Sequence, residues 1–259
     1  MDLSGKVALV TGAGRGIGKG IAMALAKAGA DIALADIREE NARAVADEIQ
    51  GLGRRTSAMA TDVTDWDQVQ AMVERTIRDL GRLDIAVNNA GVISIKSVAD
   101  LTPDDWDFVN NVNAKGVFMC CKAELAPMKA QKWGRIINVA SIAGKQGFPD
   151  LAHYSASKFA VVGFTNALAK EVARDGITVN AICPGIVGTA MWVGGAGLSA
   201  KWKQEGETEE QSWARHQDVL LPQGVAQTPE DMGQLAVYLV EAAHVTGQSI
   251  NVDGGFTHH

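Results

Sequence analysis

The chain has 259 residues, of which 47% are hydrophobic and 21% are charged, a composition typical of globular domains. Its formal net charge of −6 argues against nucleic acid or an anionic membrane as the main partner, because both attract basic surfaces. Three cysteines without a C-x-x-C pair, no apolar leader and no apolar run of about 20 residues favour a soluble cytoplasmic protein. We interpret the terminal His258 and His259 as a frayed end, and we predict no metal site.

Short β-branched segments alternate with helical stretches along the chain. Such alternation predicts a parallel sheet that is covered by helices on both faces. Because crossovers between parallel strands are right-handed, we expect a doubly wound α/β sheet within a single domain, residues 1–259. The predicted strands are Lys6–Thr11, Asp31–Asp36, Thr56–Thr61, Leu83–Val87, Arg135–Ala140, Thr178–Ile182 and Ser249–Val252, and the predicted helices are Gly16–Gly29, Glu40–Leu52, 65–80, 103–130, 153–174 and Pro229–Ala243.

One segment, Met191–Pro222, differs in composition from the rest of the chain. It contains three of the six tryptophans, the glycines Gly194, Gly195 and Gly197, and a run rich in Lys, Gln and Glu. A surface excursion is one interpretation of this segment. We favour a helical substrate lid at about residues 190–222, because long glycine-flanked insertions in compact domains are usually functional.

Glycines cluster where the first predicted strand turns into the first helix, in the run Thr11-Gly12-Ala13-Gly14-Arg15-Gly16-Ile17-Gly18. Glycine permits positive φ and lets backbone N–H groups approach a pyrophosphate, and the helix N-terminus adds a partial positive charge. The same glycine cluster is also compatible with an ordinary tight turn. However, Asp36 ends the second predicted strand, where a carboxylate can accept from both ribose hydroxyls of adenosine, so the two features together predict a dinucleotide site.

The same aspartate bears on the choice of cofactor. A 2′-phosphate at this position would be repelled by the Asp36 carboxylate, which favours NAD over NADP. Arg15 in the glycine turn and Arg38 after the strand argue the other way, unless both are simply solvated. We predict NAD as the cofactor.

Tyr154 and Lys158 are spaced i, i+4 at the start of a predicted helix, so the phenol and the ammonium share one face. At about 4 Å and an effective dielectric of about 20, the ammonium would favour the phenolate by about 4 kcal/mol and lower its pKa by roughly three. Tyr154 would then be a useful base for an alcohol; a solvated pair is the alternative. Ser141 follows a predicted strand at the sheet edge that binds ligands, and Asn113 within a helix is either part of that site or a surface residue.

Taken in order, these residues resemble the short-chain dehydrogenase/reductase family over essentially the whole chain, with its Rossmann-type sheet. The resemblance rests on five motifs: the glycine turn, Asp62-Val63, Asn88-Asn89-Ala90-Gly91, the four residues Asn113, Ser141, Tyr154 and Lys158, and the loop Pro184-Gly185-Ile186 with Thr189. It implies a catalytic tetrad in which Tyr154 is the general acid/base, Ser141 polarises the reacting oxygen, Lys158 also holds the nicotinamide ribose and Asn113 orders a water. The cofactor contacts that it implies are Gly12, Arg15, Gly16, Ile17, Gly18, Asp36, Ile37, Asp62, Val63, Asn89, Ala90, Gly91, Tyr154, Lys158, Pro184, Gly185, Ile186 and Thr189.

Within the family, Tyr154–Gly163 and Cys183–Trp192 are most similar to bacterial acetoin/butanediol and polyol dehydrogenases. Ile142 departs from them, since they often carry glutamine after the catalytic serine. We therefore predict an oxidoreductase acting on the secondary alcohol or carbonyl of a small diol, polyol or hydroxyketone. The expected substrate contacts are Ser141, Gln146, His153, Met191 and Trp192, although a histidine at a helix start is often only solvated.

Two other functions stay open at this point. One is a reductase of acyl-carrier-bound 3-oxo esters that uses NADPH, and the other is a non-catalytic dinucleotide-binding regulator. The predicted helices 103–130 and 153–174 are apolar on more than one face. One face must cover the sheet, and the family resemblance implies that the other pairs across a two-fold axis in a homotetramer.

Overall fold

A computed structural model describes residues 2–195 and 197–257, so Ala196 in the predicted lid and the terminal histidines lie outside the described residues. The strands are β1 (Val7–Thr11), β2 (Asp31–Asp36), β3 (Thr56–Ala60), β4 (Ile85–Asn88), β5 (Gly134–Val139), β6 (Ile177–Pro184) and β7 (Ser249–Val252). The helices are α1 (Gly16–Lys27), α2 (Glu39–Gln50), α3 (Trp66–Leu80), α4 (Pro103–Asn110), α5 (Gly116–Ala130), α6 (Ala152–Val172), α7 (Leu198–Lys201), α8 (Glu209–Leu220) and α9 (Pro229–Glu241).

The seven strands form one parallel sheet in the order β3-β2-β1-β4-β5-β6-β7. Successive side chains of a strand point to opposite faces, and both faces are buried here. In β1, Val7 and Leu9 join the apolar core beneath α3, α5 and α6, whereas Ala8 and Val10 join the core beneath α1, α2 and α9. The predicted single-domain, doubly wound sheet is confirmed. The chain order reverses between β1 and β4, and such a reversal leaves a crevice at the carboxyl ends of the strands.

The predicted helix 103–130 is interrupted in the structure. Between α4 and α5 the residues Asn111–Lys115 form a π-helical turn, in which hydrogen bonds skip one residue more than in an α-helix. Such turns are frequent at functional sites. This one carries Asn113, whose side chain is fully buried.

The segment after β6 folds as two helices, α7 and α8, within residues 190–222. Three tryptophans hold it together: the ring of Trp192 lies 5.8 Å from that of Trp202 and 5.7 Å from that of Trp213, between ring centres. A capping box of Thr208 and Gln211 fixes the start of α8. No helix in the described part of the chain is long and apolar enough to cross a membrane.

Candidate active site

The glycine turn between β1 and α1 is built for close backbone approach. Gly12 has a φ of +60°, in the left-handed region that favours glycine. A Cβ on Gly18 would meet the Gly12 carbonyl and the Asn89 amide, so the first turn of α1 can lie against the loop only with glycine there. The cap residue of α1 is Arg15, and no side chain in the described ranges caps the helix, so its first N–H groups are available to an anion. These features fit a dinucleotide pyrophosphate.

The Asp36 carboxylate is held at the carboxyl end of β2. It accepts hydrogen bonds from the backbone N–H of Gly14 (3.0 Å) and of Arg38 (3.1 Å), and the residue is only 9% exposed. Ile37 beside it is largely exposed. The carboxylate is thus fixed next to the glycine turn, where the ribose of a bound dinucleotide would lie.

Two further predicted cofactor elements lie at the same edge of the sheet. Asp62 follows β3, and its Oδ1 accepts from the N–H of Thr64 (2.9 Å) and from its hydroxyl (2.7 Å), while Val63 is buried against Gly116. Asn89 donates to the carbonyls of Thr11 (2.9 Å) and Gly12 (3.1 Å). The N–H groups of Asn89 and Ala90 both donate to the Thr11 hydroxyl, at 3.0 and 3.1 Å, so this loop is fastened to the end of β1.

The neighbouring Asn88 points away from the cleft, into a buried polar cluster that the sequence did not reveal. Its amide donates to Glu124 Oε2 (3.1 Å) and to Asn138 Oδ1 (3.0 Å). Glu124 lies on α5 with no exposed surface, and burial raises the pKa of its carboxyl to about 8. Within the described residues its Oε1 has no hydrogen-bond partner. A lone glutamate in a helix gives no sequence signal of such burial, because burial depends on what packs over it.

The tetrad residues come from three parts of the fold and meet at the carboxyl edge of the sheet. Ser141 follows β5 and accepts from the N–H of Ala143 (3.1 Å), while Tyr154 and Lys158 lie on α6. These three residues line a cavity of about 80 Å³. Lys158 Nζ donates to the Val139 carbonyl (3.0 Å) and lies 5.7 Å from the centre of the Tyr154 ring.

Asn113 stands behind this cavity and does not line it. Its Oδ1 accepts from the N–H of Val92 (2.8 Å), and its amide donates to the Val92 carbonyl (2.9 Å) and to Ser157 Oγ (3.0 Å). The π-helical turn therefore aims the Asn113 side chain at the loop that follows β4 and at α6. A surface polar role for this residue is excluded by its complete burial.

Burial, rather than the lysine, dominates the ionisation of Tyr154. It raises the pKa of the phenol to about 12, opposed by the hydrogen bond from Ser141. Burial also lowers the pKa of Lys158 to about 8, opposed by its interaction with Cys183. Burial therefore outweighs any lowering of the Tyr154 pKa by Lys158 in this geometry, because both charged forms lose hydration and the Lys158 ammonium is bonded to the Val139 carbonyl.

Most of the predicted nicotinamide and lid contacts do line the cavity. They are Ile17, Asn89, Gly91, Pro184, Gly185 and Thr189 among the predicted cofactor contacts, and Met191 and Trp192 from the predicted lid. Ile186 is fully buried behind its loop, and its carbonyl accepts from the N–H of Gln227 (2.9 Å). Val92, Val139, Ala140 and Val187 also line the cavity, and sequence reasoning missed them because small apolar side chains look like ordinary core.

Two expected substrate contacts lie elsewhere. Gln146 is exposed and does not line the cavity, so it does not replace the missing glutamine. His153 is fully buried, with its Nε2 2.6 Å from Ser94 Oγ, and it does not line the cavity either. Successive side chains of an α-helix are more than a quarter turn apart around the helix axis, so His153 and Tyr154 point in different directions.

A buried phenol, a hydroxyl and an ammonium beside a dinucleotide cleft suit one chemistry: the transfer of a hydride from or to a carbinol carbon, together with the proton of its hydroxyl oxygen. Fold and site together define an NAD(P)-dependent oxidoreductase acting on CH–OH groups. The family model described as short chain dehydrogenase matches residues 6–196. The chain belongs to the short-chain dehydrogenase/reductase family, whose members bind a nicotinamide dinucleotide.

Individual relatives match over almost their full length. The chain is 37% identical to a 3-oxoacyl-[acyl-carrier-protein] reductase, FabG, of Thermotoga maritima, with 98% of this chain and 99% of that protein covered. It is 40% identical to the oxidoreductase UcpA of Salmonella typhimurium, with 98% and 95% covered. A candidate short-chain alcohol dehydrogenase from Sinorhizobium meliloti superposes with a TM-score of 0.90 at 38% identity, covering 98% and 97%. These names lend no support to the finer resemblance to acetoin/butanediol or polyol dehydrogenases, which stays a prediction.

Proposed function

We propose that the protein is an NAD-preferring dehydrogenase that oxidises a secondary alcohol of a small diol or polyol, or reduces the matching hydroxyketone. The observation that carries this proposal is the cavity lining. Apart from Ser141 and Tyr154, its substrate side consists of Val92, Met191 and Trp192, and Lys158 is the only charged side chain that the described residues bring to the cavity. Such a lining suits apolar carbon with one or two hydroxyls, and beyond the Lys158 ammonium it offers no charge to a phosphate or carboxylate.

The residues divide the reaction between them. Ser141 donates a hydrogen bond to the substrate oxygen, and Tyr154 takes the alcohol proton during oxidation and returns it during reduction. When bound, the nicotinamide accepts or supplies the hydride. Lys158 holds the cofactor ribose and supplies positive charge beside the phenol, while Asn113 fixes the loop that carries Val92. Initial rates with NAD and a panel of diols, polyols and hydroxyketones test the proposal. If the protein is active on another substrate but turns over none of these compounds, the proposal is refuted.

A second candidate is supported by the relatives, two of which are 3-oxoacyl-[acyl-carrier-protein] reductases. That activity would require room for a thioester arm and a basic surface for an acidic carrier. In the described part of the lid, Lys201 and Lys203 are basic, whereas Arg215 is paired with Glu207 at 2.8 Å. Acetoacetyl-CoA with NADPH belongs in the same panel, and a kcat/KM above that of every diol and hydroxyketone would favour this candidate.

The first prediction concerns Asp36. With the native protein, kcat/KM is expected to be higher for NAD than for NADP, because the fixed carboxylate repels a 2′-phosphate. Asp36→Ala should lower the ratio of kcat/KM for NAD to kcat/KM for NADP by about tenfold or more. This is the effect of relieving roughly 1.4 kcal/mol of repulsion. Asp36→Asn, which keeps an acceptor for one backbone N–H, should change the ratio in the same direction. A native preference for NADP of tenfold or more would show that the charge argument is wrong.

The second prediction concerns Trp192, which lines the cavity and is only 9% exposed. Trp192→Ala removes contact area from the substrate and leaves the tetrad intact. KM for the substrate should therefore rise by about tenfold while kcat changes much less. Trp66→Ala is the matched control, since Trp66 does not line the cavity. Loss of kcat alone, with KM unchanged, would mean that Trp192 does not contact the substrate.

The third prediction concerns assembly. Large apolar side chains are about half exposed on three neighbouring helices, namely Trp106 and Phe108 on α4, Phe118 on α5 and Phe159 on α6. Pairing with a second copy across a two-fold axis would remove this area from water, and the family resemblance implies that two such pairs form a tetramer. Multi-angle light scattering at micromolar concentration should give about four times the chain mass of 27.3 kDa. Phe118→Asp with Phe159→Asp should lower that mass, and a monomeric native protein would contradict the proposal.

A further inference from the structure

His153 and Ser94 connect two parts of the active site that the sheet does not connect. His153 is the second residue of α6, directly before Tyr154, and Ser94 lies in the loop that follows β4. The His153 Nε2 and the Ser94 Oγ are 2.6 Å apart, and the histidine has no exposed surface.

The surroundings of the imidazole determine where its proton lies. Within the described residues Nδ1 is buried and has no hydrogen-bond partner. A buried unpaired N–H is rarer in proteins than a buried unpaired acceptor, so the proton belongs on Nε2, which then donates to Ser94 Oγ. Burial lowers the pKa of His153 and so favours its neutral form. The nearby charges of Asp105 and Lys96 act in opposite directions on this pKa and are themselves paired at 2.6 Å.

The loop that carries Ser94 forms one wall of the substrate cavity. Gly91 and Val92 line the cavity, and Ile93 and Ile95 pack in the same apolar cluster as Tyr154. Asn113 clamps this loop at Val92, before Ser94. The bond between Ser94 and His153 ties the next part of the loop to the first turn of the catalytic helix.

We propose that His153 is a positioning residue, which acts through Ser94 to fix the wall of the substrate cavity relative to the Tyr154 phenol. This inference rests on the proposed role of Tyr154 as the general acid/base. Loss of the hydrogen bond between Ser94 and His153 leaves the apolar contact area of the cavity wall in place. It allows the substrate oxygen and the Tyr154 phenol to move out of alignment. Misalignment of reacting groups lowers kcat more than it weakens binding.

The kinetic test uses the best substrate from the panel, whichever class it belongs to. Ser94→Ala and His153→Phe should each lower kcat by about 3- to 10-fold, the effect of one lost hydrogen bond, with KM changed less than twofold. The double variant should lose no more than the larger single effect, because one bond is removed in all three. His153→Gln, which keeps a donor near the place of Nε2, should recover most of the loss.

A spectroscopic test needs no substrate. The chain has only two tyrosines, Tyr154 and Tyr238, so ¹³Cζ-labelled tyrosine gives one signal for each. Ser94→Ala should shift the Tyr154 signal and leave that of Tyr238 in place. Ser97→Ala is the matched control, since its hydroxyl bonds Asp100 (2.6 Å) in the same loop but does not reach α6.

The outcomes separate this inference from the proposed function. If Ser94→Ala leaves both kcat and the Tyr154 signal unchanged, or if the two single effects add in the double variant, the positioning role is wrong. If no panel substrate is turned over but the Tyr154 signal shifts, the proposed substrate class fails and the positioning contact stands. If Ser94→Ala only lowers Tm, with kcat and the signal unchanged, the pair is merely structural and the inference is overturned.

Discussion

Replacing Tyr154 with phenylalanine is expected to lower kcat by about 10² to 10⁴-fold, the usual contribution of a positioned general acid or base. The phenol is the group that we propose to exchange a proton with the substrate oxygen held by Ser141. Phenylalanine keeps the ring that packs with Ala143 and Leu151 in the same cluster. The fold and the dinucleotide site should therefore be retained, and cofactor affinity should stay near that of the native protein.

Steady-state kinetics and a cofactor titration check this prediction together. Tyr238→Phe removes the only other phenol of the chain, which lies on α9 and is about half exposed, and it should leave kcat unchanged. Turnover by Tyr154→Phe within a few-fold of the native rate would remove Tyr154 from the mechanism. A loss of cofactor binding equal to the loss of rate would show that the ring, rather than the hydroxyl, matters.

The second large effect is expected in stability, at Glu124. Burial raises the pKa of this carboxyl from 4.5 to about 8, so between these values the folded state binds a proton that the unfolded state has released. The free energy of unfolding then falls as pH rises. The stability that depends on a neutral Glu124 carboxyl is fully present below pH 4.5 and is lost above about pH 8. At about 1.4 kcal/mol per pKa unit, the loss is about 5 kcal/mol.

Glu124→Gln mimics the protonated carboxyl and cannot ionise. Its Tm should be close to that of the native protein at pH 5 and about 10 °C higher at pH 9, measured by thermal unfolding in matched buffers. Glu74→Gln, an exposed glutamate on α3, is the control and should show no such pH-dependent gain. Equal Tm differences at both pH values would mean that Glu124 is ionised, or already neutral, throughout the range.

Much of the fold followed from local sequence signals. Alternating β-branched and helical segments predicted the seven strands and the doubly wound sheet, and each predicted strand overlaps an observed one. The glycine turn, Asp36, Ser141, Tyr154 and Lys158 were identified because their chemistry and spacing are visible without coordinates. The interruption of 103–130 by a π-helical turn was missed, since hydrophobic periodicity does not register one extra residue per turn.

What the sequence by itself determined was therefore the order of the elements and the inventory of reactive groups, because both depend on neighbours within a few residues along the chain. Tertiary structure alone decided where His153 and Gln146 point. Although they are close in sequence, His153 points inward to Ser94 and Gln146 points outward to solvent. Tertiary structure also decided the ionisation of Tyr154, Lys158 and Glu124. The pKa of a buried group is governed by the loss of hydration, and that loss is imposed by segments far away in sequence that pack around it.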